Sequence, residues 1–333
     1  MTTKTRYFLV GSVLTLTVGL GVGLVAYSMG FSTAAFTAQG GPEELRFVPA
    51  NAALVAYADV HDIMTSDLRQ RVRSVFPTKE DGQHEFQNET GINIETDIDR
   101  VVTAIVPSGE QVGPMPGAVM VLARGRFDQV KIESLMREHG ATAEDYKGAR
   151  LVMGQGPQGR GSFSVAFLEP GLVAVGSTAL VRNAVDLKGG GSSVSTNDEL
   201  MGLIQDADSG NAWAAGRFDA LTARAKLPEG VSEQLPGVTL FSASAHIDSG
   251  IRGVLRADTR DDEAATSLRD LVRGFLALAK LQGGSHAELT EVLQSLQLAG
   301  TGHTVTLSFD LPASALDTLA KLAPHRSPAP VQP

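Results

Sequence analysis

Ser244, His246 and Asp248 are the residue types of a hydrolase triad: a nucleophile, a base to take its proton and a carboxylate to orient the base. They alternate with Phe241, Ala243, Ala245 and Ile247. That period of two predicts a half-buried strand. Alternate residues on one face of a strand stand about 6.6–7 Å apart, whereas nucleophile and base must close to about 2.6–3.2 Å. No G-x-S-x-G elbow occurs. The spacing therefore predicts a solvated strand face and no triad.

Other chemistry-bearing patterns are weighed the same way. Gly154-x-Gly156-x-x-Gly159 matches a dinucleotide fingerprint by letter, but the fingerprint needs a helix N-terminus behind it. Here Pro157 interrupts the pattern and an alternating strand from Ser162 follows, so a hairpin loop is expected. The seven histidines, His61, His84, His139, His246, His286, His303 and His325, show no metal-binding spacing. Asp258, Asp261, Asp262 and Glu263 lack the alternating ligands and glycine of a calcium loop and suit the first turn of a helix. The absence of cysteine excludes thiolate metal sites and cysteine nucleophiles. No catalytic residue, cofactor or metal ligand is assigned.

The tetrapeptide Gly-Arg-Phe-Asp occurs twice, at Gly125–Asp128 and Gly216–Asp219. Each copy falls where a strand should give way to a helix. Asp128 and Asp219 are expected as helix caps, and Ser285, with Glu288 three residues on, as the cap of a further helix. Arg126 and Arg217 are the surface residues that the repeat would present together at a shared binding surface.

The elements that must position these residues read as α+β. Strands are expected near 53–59, 98–106, 117–124, 149–153, 162–168, 171–176, 212–217, 241–247, 251–258 and 305–309, with helices near 64–76, 128–139, 177–187, 197–205, 219–226, 261–282, 285–298 and up to Leu322. Gly189-Gly190-Gly191-Ser192-Ser193 reads as a linker. The expected organisation is two split-βαβ, ferredoxin-like modules with antiparallel sheets, at 47–187 and 197–323, joined by residues 188–196. The echo of Asn51-Ala52 in Asn211-Ala212 suggests that the modules are duplicates. The tail 324–333, with four prolines, is expected to be disordered.

Residues 7–29 contain no charge. As a helix they would extend roughly 34 Å, enough to cross a bilayer. Lys4 and Arg6 precede them and the next positive residue is Arg46, so residues 1–6 are expected in the cytoplasm and the body outside. Residues 30–46 read as a tether. Small residues at Ser32-Thr33-Ala34 allow the alternative of signal cleavage and secretion. Gly19 and Gly23, four apart, have the spacing of a homodimer contact between membrane helices.

The stretches Val121–Asp128, Ala166–Gly176 and Asn211–Asp219 resemble a group of uncharacterised bacterial proteins with one N-terminal membrane helix and a duplicated α+β ectodomain. The resemblance implies location and architecture and brings no activity. The formal charge of the whole chain is −9, and residues 1–46 carry three positive and two negative residues, leaving −10 on the body. An acidic body without a basic run excludes nucleic acid as a partner. The expected function is that of a non-catalytic, membrane-tethered envelope protein whose ectodomain binds or scaffolds an envelope protein or ligand. The alternative is an envelope hydrolase with a site between the modules.

Overall fold

The computed structural model describes residues 41–75, 87–88, 90–112, 115–155, 162–222, 237–283 and 293–312. Residues 7–29, the tail, Ser285 and the helix expected to end near Leu322 lie outside them. No helix among the described residues is long and apolar enough to cross a membrane.

The chain opens with a 3-10 helix at Glu43–Phe47, then β1 (Leu54–Asp59), α1 (Val60–Thr65), α2 (Asp67–Val75), α3 (Ile94–Asp97), β2 (Ile98–Val112) and β3 (Met115–Gly125). It continues through α4 (Gln129–Glu138), β4 (Thr142–Tyr146), β5 (Ala149–Gln155), β6 (Ser162–Glu169), β7 (Leu172–Ser177) and α5 (Thr178–Leu187). A 3-10 turn at Val194–Thr196 leads to α6 (Asp198–Ala207), β8 (Ala212–Arg217), α7 (Phe218–Thr222), β9 (Val238–Ile247), β10 (Gly250–Thr259), α8 (Asp262–Gly283), β11 (Gln297–Ala299) and β12 (Thr304–Pro312).

These strands form one twelve-stranded sheet in the order β11-β12-β10-β9-β8-β1-β2-β3-β7-β6-β5-β4. All of its strand pairs are antiparallel. The period of two sorts side chains to two faces. On one face Tyr57, Val102, Met120, Leu122, Leu151, Leu168 and Trp213 form the main core with Val181 of α5 and with Leu200 and Ile204 of α6. On the other, Val101, Val121, Ala123, Val165 and Val173 pack with Val60, Phe127 and Met136. Farther along that second face, Ala265, Leu268 and Val272 of α8 cover Ala257 and Val305.

Four expectations change. Residues 188–196 do not divide two sheets, because β1 and β8 pair directly from Leu54↔Gly216 to Ala58↔Ala212. Each half alone would leave an apolar central strand as an open edge, and joining the two covers both. Nor is either half ferredoxin-like: that module needs a parallel pair, whereas β1 and β2 are antiparallel neighbours. Residues 30–46 are not wholly a tether. Glu44, Leu45 and Phe47 are buried, and Val48 beside them is fully buried. At the far edge, the helix expected to run to Leu298 gives way to β11, where Leu298 pairs with Leu307.

Candidate functional site

The densest group of charges grows from the strand register. Asp59, Arg100 and Arg124 are cross-strand neighbours on β1, β2 and β3. Two arginines directly opposite one another repel. Glu44, only 1% exposed, lies over them. Its Oε1 accepts from Arg100 Nε at 3.0 Å and from Arg124 Nε. Glu169 at the end of β6 extends the cluster, with Arg124 Nη2 3.5 Å from its Oε2 and Arg46 bonded to its Oε1. The N-terminal segment thus supplies a carboxylate and a guanidinium to three strands. Burial pushes the Glu44 carboxyl upward, but the Arg124 hydrogen bond and the Arg100 charge outweigh it and hold its pKa below the usual range.

Asp59 is 2% exposed and has weaker support. Its Oδ1 caps α1 by accepting from Asp62 N at 3.2 Å, and its Oδ2 accepts from Tyr57 Oη at 3.3 Å. Burial is the main cause that raises its pKa to about 6, and the nearby Asp62 charge adds to it. The same burial, with the adjacent Asp59 charge, raises the Tyr57 phenol. The Tyr57 ring stacks on Trp213, its register partner across the β1–β8 seam, with centroids 5.5 Å apart. Trp213 Nε1 donates to Asp208 Oδ1 at 3.0 Å, and Asp208 also receives the Gly41 amide. The chain therefore enters the body at a knot of carboxylates, arginines and stacked rings on the two central strands.

Two carboxyls displaced in opposite directions are what an acid–base pair requires. Glu44 and Asp59 are nevertheless covered by the N-terminal segment and by α1, and their partners are protein groups. What this arrangement does is hold a chain segment.

The other residues singled out in the sequence are dispersed. Asp128 is the N-cap of α4, accepting from Lys131 N at 3.0 Å. Asp219 lies one residue inside α7, whose first residue is Phe218, and accepts from Ala220 N, so it is not the expected N-cap. Arg126 follows β3 and donates to Thr96 O and to Asp97 Oδ1. Arg217 ends β8, and its Nε is buried without a hydrogen bond among the described residues. The strand rows place Arg217 level with Ala118 and Arg126 beyond Gly125, about eight residues or 26 Å apart along the strands. They share no surface.

Ser244 is buried beside Trp213 and Val254, His246 is exposed, and Asp248 lies past the end of β9. Gly154 is the penultimate residue of β5, and a Cβ there would meet Phe163 Cε1 at 2.7 Å. This glycine makes room for a cross-strand ring; it does not open a phosphate loop. The acidic knot is spoken for: Asp258 accepts from Arg256 and Thr304, and Asp261 caps α8 through Ala264 N at 2.8 Å. No group of three or more metal-ligating residues occurs among the described residues.

Sequence reasoning passed over Glu44, Asp59, Arg100, Arg124 and Asp208. A signal existed for one pair. Arg100 shares parity with Val102 and Ala104, and Arg124 with Leu122 and Met120, so both fall on the core side of their strands. A cation in line with buried positions calls for a buried anion. Comparison with protein-family models, curated proteins and solved structures finds no match to this chain.

Proposed function

We propose that this chain is a non-catalytic, single-pass envelope protein, held in the inner membrane by residues 7–29, whose body binds or scaffolds an envelope partner. The observation that carries this reading is the docking of the segment that follows the uncharged stretch. Val194 N donates to Val48 O at 2.8 Å and Ala50 N to Ser192 O at 3.1 Å, while Asn197 Nδ2 donates to Ala50 O at 2.9 Å. Glu44 meanwhile grips β2 and β3. A chain attached to a membrane by its N-terminus would thus be pinned to both halves of its body, and load on the tether would spread over the central strands. A loosely strung domain has no use for such a clasp.

The proposal extends to the resemblance to uncharacterised anchored proteins and to an internal duplication. Topology supports the second. The order strand, helix, strand, strand, helix runs outward from the seam in both halves, through β1 to α4 and through β8 to α8. Asp128 and Asp261 cap the closing helices in the same way. Asn51-Ala52 lies just before β1 and Asn211-Ala212 leads into β8, the strands on either side of the seam. The Gly-Arg-Phe-Asp pair does not contribute, because its copies end β3 and β8, which are not equivalent.

The test is crosslinking in intact membranes, comparing the full chain with residues 1–40 fused to an unrelated folded domain. Adducts that need the body are expected. If every adduct also forms with the fusion, the body is not a binding element. Replacing Gly19 and Gly23 by leucine should remove only a self-adduct made through the membrane helix.

A further inference from the structure

We infer that the face beneath the Glu43–Val48 segment is a peptide-binding groove, filled in cis by the protein's own chain and matched to a partner peptide in which an acidic residue is followed by apolar residues one, three and four positions on. The inference rests on reading the body as a binding element, and it names the chemistry of the partner.

The segment sits on the body as a peptide sits on a receptor. Among the described residues, the backbone bonds of the Glu43–Phe47 turn stay inside the segment: Leu45 N donates to Pro42 O and Val48 N to Leu45 O. Side chains make the attachment. Leu45, Phe47 and Val48 are 1%, 1% and 0% exposed and join Val181 of α5 and Leu200 and Ile204 of α6 in the core. Glu43 and Arg46 point outward. The sheet does not need the segment, because β1 begins only at Leu54 and is paired on both sides, with β2 and with β8.

The groove has its own chemical demand. Arg100 and Arg124 are opposite one another in the β2–β3 register, and both donate to Glu44 Oε1. Two half-buried guanidiniums side by side require a carboxylate between them. Any occupant must therefore bring an acid, followed by apolar side chains at the spacing of Leu45, Phe47 and Val48. Glu44 meets the demand only in part. Its Oε2 is buried without a hydrogen bond among the described residues, and so is Arg124 Nη2. Unsatisfied buried polar atoms weaken the present occupant, so a peptide that satisfies both atoms has something to gain by displacing it. Displacement would undo the side-chain clasp between the N-terminal segment and the body.

Fluorescence anisotropy on the full chain in detergent tests the groove. The probe is a labelled synthetic peptide of residues 41–50. In the parent, the tethered segment competes at an effective concentration in the ~mM range, so the probe at micromolar concentration should not bind. The double variant Glu44→Ala with Phe47→Ala loosens the tethered segment and is expected to bind the probe. A probe that itself carries Glu44→Ala should bind that variant about thirtyfold more weakly, because the arginines are left without a carboxylate. If the double variant does not fold alone, adding the probe should restore cooperative unfolding in urea. A folded variant that ignores the probe, an unfolded one that the probe does not rescue, equal binding of the two probes, or equal binding by parent and variant overturns the inference. Crosslinking in membranes separates it from the wider reading. Adducts that need the body should fade under excess probe and survive its Glu44→Ala form. Adducts that persist under both leave the body a binding element and remove the groove as its site. Anisotropy decides the groove whether or not such adducts form.

Discussion

Single residues in this protein show their roles by what they face. Glu44 is the clearest case: it separates two arginines that the β2–β3 register sets side by side. Glu44→Ala leaves buried cations uncompensated and is expected to cost about 3–5 kcal/mol, read as a lowered midpoint in urea. Glu44→Gln, which keeps a carbonyl acceptor, should lose less. Equal stability of parent and alanine variant would remove Glu44 from the account. Asp128 behaves as its sequence context suggests, a carboxylate set before an apolar periodic segment and bonded to Lys131 N. Asp128→Ala is expected to destabilise by about 0.5–2 kcal/mol and Asp128→Asn by much less. Thermal melts of both variants check this, and two melts indistinguishable from the parent would refute the cap. Local rules made Asp128 legible. Glu44 was not, because its partners are 56 and 80 positions away and only the fold brings them near.

Among elements, most strands and helices follow from alternation and period; β4 falls outside the expected strands, β11 replaces the end of an expected helix, and the larger errors lie in how the elements join. Residues 188–196 have the composition of a linker, and Gly189 to Ser192 are exposed. The next residues decide otherwise: Ser193 bridges Pro49, and Val194 is fully buried. Composition reports local flexibility and says nothing about strands pairing across the gap. The Gly-Arg-Phe-Asp repeat misled for the same reason. In the first copy a Cβ on Gly125 would collide with Asp97 O, and in the second a Cβ on Gly216 would collide with Ala53 O. Both glycines answer to close backbone approach, so the two copies of the motif meet the same local need. Proteolysis separates the two views of residues 188–192. Cleavage there is expected to leave both pieces eluting together under native conditions, because β1 and β8 stay paired. Two fragments that elute apart, each folded, would restore the two-module picture.

At the scale of the whole molecule, the charge balance, the uncharged N-terminal stretch and the buried segment behind it carry the functional reading. The first two are legible in sequence. The third required the structure, since Leu45, Phe47 and Val48 are too few to mark a core segment by periodicity. If residues 7–29 anchor a body that is pinned where it begins, the full chain should behave as an integral membrane protein with its body outside the cytoplasm. The most direct measurement combines alkaline carbonate extraction with protease treatment of spheroplasts, following a C-terminal tag. The account predicts a full-length product that stays in the membrane pellet and a tag that protease removes from intact spheroplasts. A full-length product in the soluble fraction, or a tag protected until the cells are lysed, would contradict it. A soluble product beginning near Ala35 would contradict the retained anchor and select signal cleavage and secretion.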